Sequence, residues 1–258
     1  MANFSVAPYY AILLFIAILV TLECGCRLGE RDLRLDPESA QKGIGALEGA
    51  VYGLLGLLMA FTFSGASERM NVRRTLIVQE TNAIGTAWLR VDLLPADNQL
   101  ILRPMFRDYV DARINFYKNI YNEPLAQQES AKSTALQQLI WSTTVLALKS
   151  MPSQPAGISA LQSLNDMIDI TTSRQVALQT HPPRIIYQFL CFLILVSSMF
   201  IGYGMAGGKQ RHWLHSVCYA LVMVTALYVI IDFEFPRLGM IRIDNVDQVM
   251  LQQRQAME

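Results

Sequence analysis

Two pairs of long apolar segments on either side of about 120 more polar residues constrain this chain more than any other feature. Tyr9 to Leu22 and Ile44 to Phe63 make the first pair, Ile185 to Ala206 and Trp213 to Phe233 the second. Each approaches the ~20 residues a helix needs to cross hydrocarbon, where every backbone N–H and C=O must be satisfied within the segment itself. The reading is a multi-pass membrane protein with spans over about 8–26, 44–64, 185–206 and 213–233. The chain then divides into a hairpin (1–64), a water-facing middle (65–183), a second hairpin (184–234) and a tail (235–258). Transport, channel, sensing and scaffold roles suit such a layout, with the bilayer as the obligate partner.

The composition agrees: 52% hydrophobic and 16% charged residues, with a formal charge of zero. Without a basic surplus, nucleic acid is excluded as a partner. Cys24, Cys26, Cys191 and Cys218 lie in or beside apolar segments and read as small buried hydrophobes, not as a disulfide framework. Cys24-Gly25-Cys26 offers two soft ligands, but nothing nearby in sequence completes a metal shell. No cofactor is expected. Residues Met1 to Pro8 carry no Lys or Arg, and Glu23 stands where a signal cleavage site needs small residues, so the first span reads as retained.

Periodicity makes the middle helical. Ile77, Ile84, Trp88 and Val91 repeat as one stripe, so the second span should run on as a long helix to about Pro95. Asp97 or Asn98 suits the cap of the next helix, in which Pro104 marks a kink or a late start and Tyr109, Arg113, Phe116, Tyr117 and Ile120 follow. Further helices are predicted from Pro124 to about Lys149 and from Ile158 to about Thr180, ending at His181-Pro182-Pro183. No segment alternates with the period of a half-buried strand, so the fold class is all-α.

Several polar or small residues stand out at the membrane. Gly45, Gly49 and Gly53 recur every four residues in span two, with Gly56 beyond, and let another backbone approach: span one, a neighbouring subunit, or the wall of a conduit. Glu48 is a carboxylate at the edge of hydrocarbon, an interfacial anchor near Lys42 or a group facing an ion path. Phe61, Thr62, Phe63 and Ser64 close the span with rings that gate by dewetting or hydroxyls that line a path. Asp232, Glu234 and Arg237 at the end of span four suit a charged docking motif toward Arg69, Arg73 or Arg74. His212 and His215, three apart, share a metal only if they leave their interfacial role beside Trp213. No HExxH, GxSxG or phosphate-binding glycine loop occurs, so an enzyme is not expected. Positive charge leaves the orientation tied: Arg27, Arg31, Arg34 and Lys42 oppose Arg69, Arg73, Arg74 and Arg184, and Lys209 and Arg211 oppose Arg237 and Arg242.

The run Glu80-Thr81-Asn82-Ala83-Ile84-Gly85-Thr86-Ala87-Trp88-Leu89-Arg90, continuing Val91-Asp92-Leu93-Leu94-Pro95, resembles the signature of a bestrophin-like family of bacterial membrane proteins. Gly56 to Ser64, Tyr109-Val110-Asp111-Ala112-Arg113 and Asp232 to Arg242 are similar to that family's other motifs, so the resemblance covers nearly the whole chain. It implies the bacterial inner membrane, with both termini and the middle domain cytoplasmic. Distant similarity to bestrophin channels implies a homo-oligomer, tetramer or pentamer, with span two around a central path for ions such as chloride. Neither a residue-for-residue neck nor an acidic calcium clasp is matched. Glu80, Asn82, Arg90 and Asp92 would then pair within or between subunits, or form a polar ring in a vestibule. A non-conducting scaffold or sensor is the competing expectation, its protein partner unknown, and cation selectivity is the variant that Glu48, Asp232 and Glu234 suggest.

Overall fold

The computed structural model describes residues 7–35, 44–120, 122–151, 154–206, 213–237, 239–241 and 243–258. Every regular element among them is helical: α1 (Ala7–Leu35), α2 (Ile44–Arg90) closed by a 3-10 turn (Val91–Leu93), α3 (Ala96–Lys118), α4 (Glu123–Lys149), α5 (Pro155–Gln179), α6 (Arg184–Gly204), α7 (Trp213–Glu234) and α8 (Asp244–Gln255). α1, α2, α6 and α7 each hold a stretch long and apolar enough to cross a membrane. The chain falls into two compact units, one of residues 1–70 and 181–241, the other of 71–180 and 242–258.

Sequence order suggests that the first two spans pair as a hairpin. In the first unit α1 packs instead along α6, and secondarily against α7. The reason is steric. A Cβ at Gly25 would overlap the Met199 carbonyl, and one at Gly202 would overlap that of Leu22, so the two backbones are in direct contact where these glycines face each other. Thr21 and Ser198 share a hydrogen bond across the same seam. Ile18, Leu22, Leu190 and Ile194 fill the rest, joined by Leu55 of α2 and Leu227 of α7. α1 also outlasts the predicted span end near residue 26, continuing to Leu35 with Glu23–Arg27 paired at 2.8 Å one turn apart and Tyr203 donating to Asp32 at 3.0 Å.

The second unit is a helical bundle. Arg73, Ile77, Glu80, Ile84, Ala87 and Val91 are all buried, the period of one helix face, and Ile84, Ala87 and Val91 pack with Phe106, Tyr109, Ile140 and Met167 from α3, α4 and α5. Burying side chains of this size contributes about 1.5–3 kcal/mol each. Arg73 caps α5: its guanidinium donates to the carbonyls of Ala177 and Thr180 at 3.0 and 2.9 Å, where the helix leaves its last C=O groups unpaired. Pro104 lies inside α3, which starts at Ala96, so a late start is excluded; the cap residue is Pro95, and Asp97 falls in the first turn. The tail contributes α8, which no periodicity argument anticipated. It binds α3 through a two-pronged Arg254–Asp111 pair (2.8 and 3.1 Å) and buries Met250, while Arg107 donates to the Met257 carbonyl beyond it at 2.8 Å.

Candidate functional site

α2 presents one face of small residues. A Cβ built on Gly45, Gly49, Gly53 or Gly56 meets nothing within 4 Å, and Ser64, further along the same face, is exposed. Among the described residues this strip does not pack against span one: glycines that bring spans together include Gly25, Gly29 and Gly202, on other helices. Glu48 flanks the open face, half-buried, with Tyr52 one turn on as its electrostatic neighbour; Lys42, the cation suggested to anchor it, lies outside the described residues. Phe63 is also exposed, its ring edge-on to Phe233 at 5.3 Å. Phe61 and Thr62 point elsewhere, into a groove shared with α6, and the Thr62 hydroxyl donates to the Leu58 carbonyl at 2.7 Å.

The end of α7 is a closed charge cluster. The Glu234 carboxylate, with no exposed side-chain surface, accepts from Arg69 at 2.8 Å and meets Nδ1 of His181 at 3.0 Å, and that imidazole stacks on Phe235. Among the arginines suggested for docking, Arg69 makes the contact. Asp232 does something different: it accepts the backbone N–H groups of Met240 (3.0 Å) and Ile241 (2.8 Å), so it pins the chain after the span. A Cβ at Gly239 would fall on its Oδ1. Gly239→Ala is expected to lower stability by about 1–3 kcal/mol through the displaced carboxylate. Thermal unfolding in detergent reads this, with Met240→Ala, at an exposed position, unchanged. Arg237 is half-buried in the same turn.

In the second unit the suggested polar ring is divided. Glu80 cannot line a vestibule, because it is fully buried between Arg113 (2.6 Å) and Arg174. Arg113 also donates to the Tyr117 hydroxyl at 2.9 Å, and Arg174 lies 3.7 Å above the Tyr117 ring. Two guanidiniums require two carboxylates, and α8 supplies the second, Asp247, 3.9 Å from Arg174. Burial alone would raise the Glu80 pKa; the two arginines outweigh it and hold the carboxyl below its usual range. Arg113 shifts upward against its own burial for the same reason. The neighbouring Tyr109 phenol, bonded to Thr171 and Gln137, is pushed up to about 12 by burial and by the charge of Glu80. Asn82 is exposed, Asp92 is exposed and paired with Arg103, and Arg90 donates to the Ser159 carbonyl at 2.8 Å. Arg113, Arg174 and Asp247 were not singled out as partners of Glu80. The available signal was charge on an apolar stripe, Arg113 falling between Tyr109 and Tyr117 at helical spacing.

No group of three or more potential metal ligands occurs among the described residues. His215 is exposed at the start of α7, and His212, its suggested partner, lies outside them. The profile of the bestrophin-like domain matches residues 16–247, from the first span into the start of α8. The chain belongs to the bestrophin-like family. It is a membrane protein of the bestrophin kind, with four helices able to span. No curated protein and no solved structure matches significantly. The family match includes every element just described: the α1–α6 seam, the open face of α2, the Glu234 cluster and the buried Glu80 group.

Proposed function

We propose that this bestrophin-like protein is a homo-oligomeric ion channel, a tetramer or pentamer, conducting anions such as chloride along a path lined by α2. The observation that supports it best is the open small-residue face of α2. Gly45, Gly49, Gly53, Gly56 and Ser64 leave the helix backbone uncovered by the described residues of one chain, and a bilayer offers no reason to expose it to lipid. Symmetry-related copies of that face, turned inward, would make a narrow polar path whose walls include helix backbone and the Ser64 hydroxyl. Phe63 is its dewetting constriction, and the helical bundle of the second unit is its vestibule or gate. The reading puts the protein in the bacterial inner membrane with both termini and the bundle cytoplasmic.

Purified oligomer in a planar bilayer should carry a chloride current, and Gly53→Leu, which fills the face without touching a neighbour in the protomer, should reduce unit conductance at least tenfold at unchanged thermal stability. Absence of current across salts and pH from a folded oligomer would refute conduction. Glu48 beside the face favours cations as the second selectivity, and reversal potentials in a salt gradient decide between them. A scaffold reading draws on the apolar corner where Leu100 (77% exposed) and Ile101 stand out of α3. It requires that no axial path exist in the oligomer.

A further inference from the structure

The groove into which Phe61 and Thr62 turn has a use that conduction leaves unassigned. It lies between α2 and α6 and has a volume of about 310 Å³, the lower end of the range for ligand sites. Its lining is apolar at one end, with Leu58, Phe61, Phe189 and Leu190, and carries one cation, Arg69, at the other. From Leu58 to Arg69 is eleven residues of uninterrupted helix, ~16 Å at 1.5 Å per residue. That is about half of the ~30 Å hydrocarbon thickness, one leaflet deep. The apolar run of α2 ends at Phe63, so Arg69 stands at headgroup level and Leu58 within the hydrocarbon.

The arginine is arranged for a second acceptor. Its Nε and Nη2 are engaged by Glu234 at 2.8 Å, whereas Nη1 is turned over Gly65, in the groove wall. Gly65 keeps that end open, since a Cβ there would come within 3.2 Å of Nη1. Arg184, exposed, begins α6 two residues before Ile186, which lines the groove. An occupant must therefore be one leaflet long, apolar below and anionic at the top. A phospholipid has that chemistry: an acyl chain on Phe61 and Phe189, and a phosphate accepting from Arg69 Nη1.

We propose that the α2–α6 groove is a phospholipid site, with Arg69 as the phosphate ligand. The inference does not depend on conduction, and its test reads bound lipid, not current. Native mass spectrometry of the oligomer released from detergent should show one phospholipid retained per subunit. Ile186→Trp, which fills the groove, should remove at least nine-tenths of it, whereas Leu221→Trp, on an exposed surface of α7, should not. Arg69→Lys should keep the fold and weaken retention several-fold, because a point charge cannot serve Glu234 and a phosphate together. Millimolar inorganic phosphate should not displace the lipid, since the acyl chain supplies most of the contact. Equal retention by wild type and Ile186→Trp would overturn the proposal. So would efficient disulfide formation between subunits by the Phe61→Cys, Ile186→Cys pair, which would show a second copy in the groove.

Discussion

Replacing Glu80 by alanine is expected to destabilise the protein by about 3–5 kcal/mol, more than a hundredfold in the folded-to-unfolded ratio. The cost does not measure how much the ion pairs contribute. Glu80, Arg113 and Arg174 are 0%, 4% and 3% exposed, and removing the carboxylate leaves two guanidiniums in the core with, among the described residues, Asp247 at 3.9 Å from one of them to answer both. Urea unfolding in detergent reads the loss. A combined Glu80→Leu, Arg113→Met, Arg174→Met variant should recover most of it, because a cluster replaced as a whole leaves no charge unpaired. If the single and triple variants are equally unstable, packing at these positions and not electrostatics sets the cost.

The same cluster sets an acid limit. The folded pKa of Glu80 is depressed, so its contribution is complete above the unfolded value of about 4.3 and disappears as pH falls through the lower folded value. The stability difference between wild type and Glu80→Gln should be constant from pH 7 to about 5 and shrink below pH 4. A difference that shrinks instead between pH 7 and 5 would mean a raised pKa and contradict the geometry. Asp111 and the other acids outside the cluster cancel in this subtraction.

Glycines give the second large effect, and it differs by helix. Gly25→Ala and Gly202→Ala each drive a methyl group into a backbone carbonyl, of Met199 and Leu22 respectively, which no side-chain rotation relieves. Overpacking of well-packed sites costs about 1–3 kcal/mol, and here the obstructing atoms are backbone, so the upper end or beyond is expected. Gly49→Ala and Gly53→Ala face open space and should leave the protomer unchanged or raise its stability by up to ~1 kcal/mol through helix propensity. Thermal unfolding of the four variants in one detergent checks the contrast. An equal loss in both pairs would mean that the α2 strip is covered in the protein studied, by a neighbouring copy, and would make oligomer interface its first role.

These outcomes bear on how far a chain like this can be read before it is folded. The long helix through Ile77, Ile84, Trp88 and Val91 was legible, since its stripe has one period from Arg73 to Val91. Glu80 was visible as a motif residue but misplaced. Its register with Ile77 and Ile84 puts it on the buried stripe, yet a carboxylate there is stable only if cations arrive from α3 and α5, and nothing local announces them. α8 was missed for a related reason. Twelve mostly polar residues form a helix because α3 offers Asp111 to Arg254 and a surface for Met250, not through propensity alone.

By itself the sequence determined that the chain is helical, that four segments are long and apolar enough to span, and that its motifs are bestrophin-like. Those properties rest on local periodicity and on the solvation of the backbone, which each segment expresses alone. Tertiary structure decided which glycines pack and which stand open, which carboxylates are buried and with what partners, and that the first span lies along the third. Each of these depends on where a second backbone or an opposite charge comes to rest, over separations such as the 94 residues between Glu80 and Arg174. Residue order carries no direct record of that meeting.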